Sequence, residues 1–328
     1  MTDAVDSECD AVDETDRDVV VVGGGPTGAA AAIFTARHGL DTVVFDRGNA
    51  ALRRCAYLEN YPGFPGGIDI EGFYDLLHAH VETAGGDLVP DLVESVDREH
   101  SDGPLVVETQ EGRRITAGAV VAAAWYDGSY LRPLGGDELF ETHDHDGEEH
   151  DHFDSSYPGS DGRTPIDGLY VASPNGRRNA QAIIAAGQGA HVARSLIEDH
   201  RTAQGFPDGV AERYDWLRRD SAFTGEWATR ERWREWYDEK AGDDHDLETE
   251  RYEELRVQYI DRAFETRLSE SAAESRAEQG LRELVEAVGT ERVLDAVDDQ
   301  TIRSYFADAE EETETETETE TQTDTETV

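Results

Sequence analysis

Residues 18–28 read Asp-Val-Val-Val-Val-Gly-Gly-Gly-Pro-Thr-Gly, and no other stretch narrows the fold of this chain as much. Four consecutive valines are β-branched and too few for a helix. They predict a short strand buried on both faces, as in a parallel sheet. Gly23, Gly25 and Gly28 follow at G-x-G-x-x-G spacing, and the small residues from Ala29 to His38 continue as a helix. In such a turn the first glycine permits the tight reversal and the second lets backbone approach a pyrophosphate. The third lets helix and strand pack closely, with the helix N–H groups aimed at the anion. A second strand, Thr42–Phe45, ends on Asp46, an acid placed to hold a ribose hydroxyl. The pattern predicts a dinucleotide site in an α/β fold. The plainer alternative is a glycine-rich βα turn without a ligand.

Charge excludes several partners. The chain has 328 residues, with 29 Lys and Arg against 74 Asp and Glu, a formal charge of −45. The tail from Ala309 carries only nine of those acids, so the excess belongs to the whole chain. Phosphate contacts need clustered Lys and Arg, and an anionic membrane surface repels such a protein, so neither nucleic acid nor membrane is an expected partner. No apolar run reaches the ~18 residues of a spanning helix. The acidic N-terminus does not read as a signal peptide. Cys9 and Cys55 are the two cysteines and form no C-x-x-C, which fits a reducing, cytoplasmic setting.

Along the chain, residues 1–16 read as a disordered acidic leader and 17–201 as the nucleotide-binding unit. Within it, 47–67 is a loop rich in Gly, Pro and Asn, and 69–85 is a helix with apolar residues at three- and four-residue spacing. Strands are expected over 87–96, 105–109, 113–116, 119–124 and 168–172, and an Ala/Gly-rich helix over 179–199. Residues 140–165 form a polar interruption containing His143, His145, His150 and His152. Histidine with carboxylate suits a transition metal, while a solvated polar loop is the alternative reading. Residues 205–308 are poor in glycine and helical in spacing. They predict a helical domain with Trp233, Trp236 and Tyr237 as core, and Leu281, Leu284, Val285 and Val288 as a further core stripe. The Glu/Thr alternation over 309–328 predicts a disordered tail.

Three segments together resemble the FAD-binding half of the thioredoxin reductase-like flavoproteins, the pyridine nucleotide–disulfide oxidoreductases. They are the glycine turn with Asp46, then Glu59-Asn60-Tyr61-Pro62-Gly63-Phe64-Pro65, and Gly168-Leu169-Tyr170-Val171-Ala172 followed by Gln181-Ala182. The resemblance implies a Rossmann-like FAD-binding α/β domain with a central parallel sheet, to which the spacing and charge pattern read above add a C-terminal α-helical appendage and disordered acidic termini. It implies FAD along Gly23, Gly25, Pro26, Thr27, Gly28, Asp46 and Arg47, with Asn60 beside the flavin and the backbone at Val93 reading adenine. Gln181 and Ala182 begin a helix aimed at the flavin's pyrimidine edge, where its dipole stabilises negative charge. The excess of Asp and Glu, with Arg outnumbering Lys, is similar to that of halophilic archaeal proteins.

The departures from that family are specific. Its NADPH-binding domain lies between the two FAD segments, whereas residues 125–167 are all that separates Ala124 from Gly168, without a second glycine motif. The redox C-x-x-C is missing as well. The family's Ala-Thr-Gly is Ala123-Ala124-Trp125, and its Gly-Asp is Ser173-Pro174, with Asn175 next. Standard NADPH–thioredoxin reductase activity is therefore not expected. Cys55, five residues before Asn60 and beside Arg53 and Arg54, is the candidate reactive group, able to form a flavin adduct or a mixed disulfide; an inert thiol is the alternative. The expectation is redox chemistry at a flavin, with a redox partner protein or small-molecule substrate and a homodimer left open. The competing expectation is a catalytically idle flavin or nucleotide module acting as sensor or scaffold.

Overall fold

The computed structural model describes residues 14–100, 103–124, 128–145, 148–173, 175–176, 181–243 and 245–307. The expected tail, most of the leader, Cys9, Trp125 and Pro174 lie outside them. Internal packing divides the chain into Met1–Glu274 and Ser275–Val328.

The first unit is built on β1 (Glu14–Val22), whose valines alternate between two hydrophobic layers. Val19 and Val21 face one cluster with Ala29, Ala32, Val192 and Leu196, while Val20 and Val22 face another with Val96, Val107 and Leu131. All four are nearly inaccessible to solvent. Burying each contributes about 1.5–3 kcal/mol, and strand periodicity sends alternate residues to opposite faces. The sheet order is β3-β2-β1-β6-β5-β4, with β9 also paired to β6. β2 (Thr42–Phe45), β3 (Asp87–Val89), β6 (Arg114–Ala122) and β9 (Leu169–Val171) form its parallel part with β1, and β4 (Val93–Arg98) and β5 (Leu105–Thr109) extend it as an antiparallel meander. The central sheet is therefore mostly parallel in a mixed α/β fold.

Several elements differ from the sequence expectation, each for a physical reason. The strand expected over 87–96 is two strands, β3 and β4, because Pro90 lacks the N–H that a continuing ladder needs. The strands expected over 113–116 and 119–124 are one, β6, which runs through Gly118. A Cβ there would stand 3.2 Å from the Asp18 carbonyl oxygen, so the glycine lets β1 lie close. β1 starts at Glu14 because its first residues pair with Arg114–Ala117 of β6. The polar interruption contains an antiparallel hairpin, β7 (Phe140–His145) with β8 (Glu148–Phe153). Polar alternation hides this strand periodicity, and Phe140 and Phe153 close its base with ring centroids 6.2 Å apart.

Helices α1 (Pro26–His38), α2 (Ile70–Thr83) and α4 (Ala182–Ala203) cover the Val19 face, and short α3 (Arg132–Gly135) sits beside the meander. The Asp69 side chain accepts the Gly72 N–H at 2.8 Å and starts α2. The small residues of α4 pack against α1. A Cβ on Gly189 would fall 1.9 Å from the Thr27 carbonyl oxygen, and one on Gly28 would fall 1.7 Å from that of Gly23. Arg163 fastens the chain before β9 to α4 through Asp199, with its Nε donating at 2.8 Å. Tyr170 donates to the same carboxylate at 2.7 Å.

Beyond α4 come α5 (Asp208–Ala211), α6 (Arg230–Ala241) and α7 (Thr249–Glu265), with β10 (Arg218–Arg219) paired to β11 (Arg267–Leu268). Their core is Phe206, Val210, Ala211, Tyr237 and Leu255, flanked by Trp236, Tyr252 and Tyr259. α8 (Glu270–Val288), α9 (Thr290–Asp295) and a helical stretch over 299–307 follow. The apolar stripe read on α8 is not a core: Leu281 and Leu284 are exposed, and α8 contains no buried residue among those described.

Two glycines of α4 make contrasting predictions. Gly189→Ala is expected to lower stability by about 3 kcal/mol, since the clash is with fixed backbone. Gly187→Ala, with nothing within 4 Å of its added Cβ, is expected to raise it by about 1 kcal/mol through helix propensity. Denaturant unfolding of the two variants measures both.

Candidate functional site

The glycine turn forms one wall of a cavity of about 630 Å3. Gly23 has φ +106°, and a Cβ on it would stand 3.0 Å from the Ala123 carbonyl oxygen. Gly24 is equally constrained, because a Cβ there would enter the Asp46 side chain at 2.7 Å. Gly25 is the N-cap of α1 and supplies no side-chain cap, and Pro26 opens the helix. The first-turn amides of α1 therefore have no partner from a cap and suit an anion.

Asp46 follows β2. Its Oδ1 accepts the Gly48 N–H at 3.0 Å, and its Oδ2 lies 3.6 Å from His78 Nε2. The same Nε2 is 3.1 Å from the Gly24 carbonyl oxygen. A carbonyl only accepts, so this nitrogen carries the proton and His78 ties α2 to the turn.

Of the residues expected from sequence, Gly23, Gly25, Pro26, Thr27, Asp46, Arg47, Val93, Gln181 and Ala182 line this cavity together, as does Cys55. Gly28 stands behind the wall, where α1 meets the turn. Asn60 is outside the lining, but its Nδ2 donates to Gln181 Oε1 at 2.8 Å. Gln181 is the N-cap of α4 and has no side-chain cap bond, so a second helix N-terminus opens on the same space. Cys55 is an exposed free thiol. Ser173 lines the cavity, whereas Asn175 is buried and donates to the Gly159 and Val171 carbonyls at 3.1 and 3.2 Å.

Sequence reasoning missed Gly24, His78, Tyr74 and Asp91. Tyr74 is buried, lines the cavity, and its hydroxyl has no hydrogen-bond partner among the described residues. A Cβ on Gly25 would lie 3.8 Å from that hydroxyl, which puts it at the open end of α1. Burial, then the Asp46 charge, pushes the phenol up to about 12, so it stays a donor at neutral pH. Asp91 precedes β4 and is also buried. Its Oδ1 accepts the Leu92 N–H at 2.7 Å and the Glu111 N–H at 3.3 Å, and Arg113 donates to its Oδ2. Burial alone would raise this carboxyl. The hydrogen bonds from Thr109, Leu92, Arg113 and Glu111 outweigh burial and hold it below its usual range.

In the β7–β8 hairpin His143 is in register with His150, and Glu141 with His152. The rings of His143 and His152 are 5.6 Å apart. The side chains of His145 and His150 lie outside the described residues. Among the described residues no three His, Cys, Asp or Glu are grouped to hold a metal ion. No described helix is long and apolar enough to cross a membrane.

A parallel β–turn–α unit with an acid after its second strand, and two helix N-termini opening on one cavity, define a domain of Rossmann-like fold. Residues 17–124 match the family model described as pyridine nucleotide-disulphide oxidoreductase, and parts of the chain are similar in sequence to thioredoxin reductases. Thioredoxin reductase of Streptomyces clavuligerus is 40% identical over 84 residues, 25% of this chain and 26% of that protein. The bifunctional thioredoxin reductase/thioredoxin of Mycobacterium leprae is 36% identical over 129 residues, 38% of this chain and 28% of that protein. The chain thus matches about a quarter of the length of these curated relatives. A solved thioredoxin reductase from Gloeobacter violaceus superposes with TM-score 0.46 at 19% identity, covering 61% of this chain and 98% of that one.

The Asp91 arrangement predicts a pH signature. A carboxyl held low in the folded state stabilises above its unfolded pKa of about 4, and that contribution is lost as pH falls through the folded value. Asp91→Asn is expected to cost about 2 kcal/mol at neutral pH. In urea unfolding the gap to wild type should close as the pH is lowered below about 4.

Proposed function

We propose that the cavity beside the glycine turn binds FAD and that the protein is a flavin-dependent oxidoreductase whose donor and substrate are unidentified. The observation that carries this reading is Gln181. It lies far from the glycine turn in sequence, yet it stands at the N-cap position of α4 on the same cavity and is bonded to Asn60. An NAD site at the turn alone would not need that third segment.

The residues present fit the group. The glycine cradle and the open first turn of α1 suit a pyrophosphate, the unpartnered Tyr74 hydroxyl offers it a donor, and Asp46 suits a ribose. The α4 N-terminus and Asn60 would hold the flavin end. FAD, when bound, supplies two-electron redox chemistry. Gln181 and the α4 amides favour negative charge at that end, and the Asn60–Gln181 bond fixes the loop against the helix. Tyr74 keeps its proton and donates it as a hydrogen bond. Cys55, on the cavity lining, is the thiol proposed to meet a substrate or partner disulfide. The chain contains no C-x-x-C, so it does not itself carry the dithiol of a standard thioredoxin reductase. Two widely separated cysteines, Cys9 and Cys55, suit a reducing cytoplasmic setting.

The inward-turned Asn175 favours a second reading. It spends its amide on Gly159 and Val171 and leaves Ser173 at the cavity. This reading is a flavin module that binds but does not turn over. Anaerobic reduction separates the two, since only the oxidoreductase exchanges electrons with an added donor.

Protein refolded with FAD and freed of excess by gel filtration is expected to keep a flavin absorption spectrum. A colourless product overturns the proposal. Tyr74→Phe is expected to weaken FAD about tenfold, the worth of one hydrogen bond to a charged group, as read by flavin fluorescence on dilution.

A further inference from the structure

A second, larger cavity of about 1610 Å3 opens at the other end of α1, where His38 and Leu40 meet the residues after α4. The 13 residues of α1 hold it about 20 Å from the glycine turn. The two cavities share no lining residue.

Its charge is out of keeping with the rest of the protein. In a chain of net charge −45, unmatched cations are unexpected. Yet Arg201, Arg213 and Arg218 line this cavity, and none has a carboxylate partner among the described residues. Arg201 is buried, and its Nε and Nη2 donate to the Ala211 and Val210 carbonyls at 2.7 and 3.1 Å. Its guanidinium carbon lies 3.8 Å from the Phe206 ring centroid. Arg218 stacks on Trp216 at 5.3 Å. Arg213, half-buried, has no hydrogen bond among the described residues.

The neighbouring acids make their ion pairs elsewhere. Glu212, Glu253, Glu254, Asp261 and Glu265 are each taken by an arginine outside this trio: Arg194, Arg256, Arg251, Arg230 and Arg262. Asp215 is held by Arg37 at 2.6 Å. Glu250, exposed at the start of α7, is the remaining acid of the lining. Burial, then the Arg213 charge, pulls Arg201 down to about 10; burial, then the Arg262 charge, lowers Arg213 against the opposing pull of Tyr259, Asp215 and Glu265. Burial and the same arginines pull His38 down to about 4, so it is neutral at neutral pH.

The second observation is aromatic. Tyr214 and Trp216 are 52% and 57% exposed at this cavity, with rings 4.9 Å apart. Two large aromatic faces left open beside unmatched guanidiniums accept a flat ring and an anion together.

We propose that this cavity is a second ligand site, for a small molecule carrying a planar aromatic ring and an anionic group. The ring stacks on Trp216 and Tyr214, and the anion is held by Arg213 and Arg218. At about 20 Å from the glycine turn, its occupant makes no contact with the first cavity.

Tryptophan fluorescence tests this directly, because four of the five tryptophans line the cavity. Naphthoate titrated into the full chain is expected to quench emission saturably. Naphthylmethanol, the neutral analogue, should bind about tenfold more weakly, and acetate should not quench. Arg213→Gln and Arg218→Gln should each weaken naphthoate about tenfold with unchanged thermal melting. If Arg213→Gln does not fold, the exposed Arg218 carries the test. The proposal is overturned if naphthoate shows no saturable quench, if naphthylmethanol binds as tightly, or if the folded variants bind like wild type.

Discussion

The first unit depends on a contact between backbones. Gly28 lies against the Gly23 carbonyl, and Gly189 against the carbonyl of Thr27, at separations that leave no room for a side chain. These two approaches draw β1, α1 and α4 together. They explain why both helices are built from alanine and glycine, residues that bury little apolar surface. What such a pairing gives up in side-chain packing it returns in position. The N-terminal ends of both helices reach the same cavity, and neither end is closed by a capping side chain. Larger residues at this seam would separate the helices and divide the cavity.

Much of this was legible in the sequence because it is written in short-range pattern. The valine run and the glycine spacing form the strand and turn read from them, and Asp46 and Gln181 line one cavity, with Gly28 behind its wall and Asn60 bonded to Gln181 outside the lining. What escaped depends on contacts between segments. Gly24 looks like a spare glycine until Asp46 is seen to fill the space beside it. Tyr74 reads as one more helix residue until its hydroxyl is found at the open end of α1. The β7–β8 hairpin was hidden because its alternation is polar on both faces. The single strand β6 was hidden because Gly118 looks like a break until β1 is laid beside it. The stripe on α8 illustrates the opposite error: apolar spacing says that a face could be buried, not that something buries it.

Charge is organised rather than merely abundant. Most arginines are spent on carboxylates, and Asp91, Asp199 and Asp238 each gather several donors. The remaining acids crowd the surface and repel one another, a penalty that counterions reduce. Against that background, Arg201, Arg213 and Arg218 stand together on one cavity without an ion pair among the described residues.

The path of β6 has a consequence for how the fold can change. Its first half pairs with β5 and its second half with β9, and the two parallel strands β6 and β9 must be joined by an excursion away from the sheet. Here a small hairpin fills that excursion, while Arg163 separately anchors the returning chain to α4. The sheet thus tolerates exchange of the inserted material, provided the returning anchor is kept. The hairpin is the natural place to graft a foreign module without moving the strands on either side.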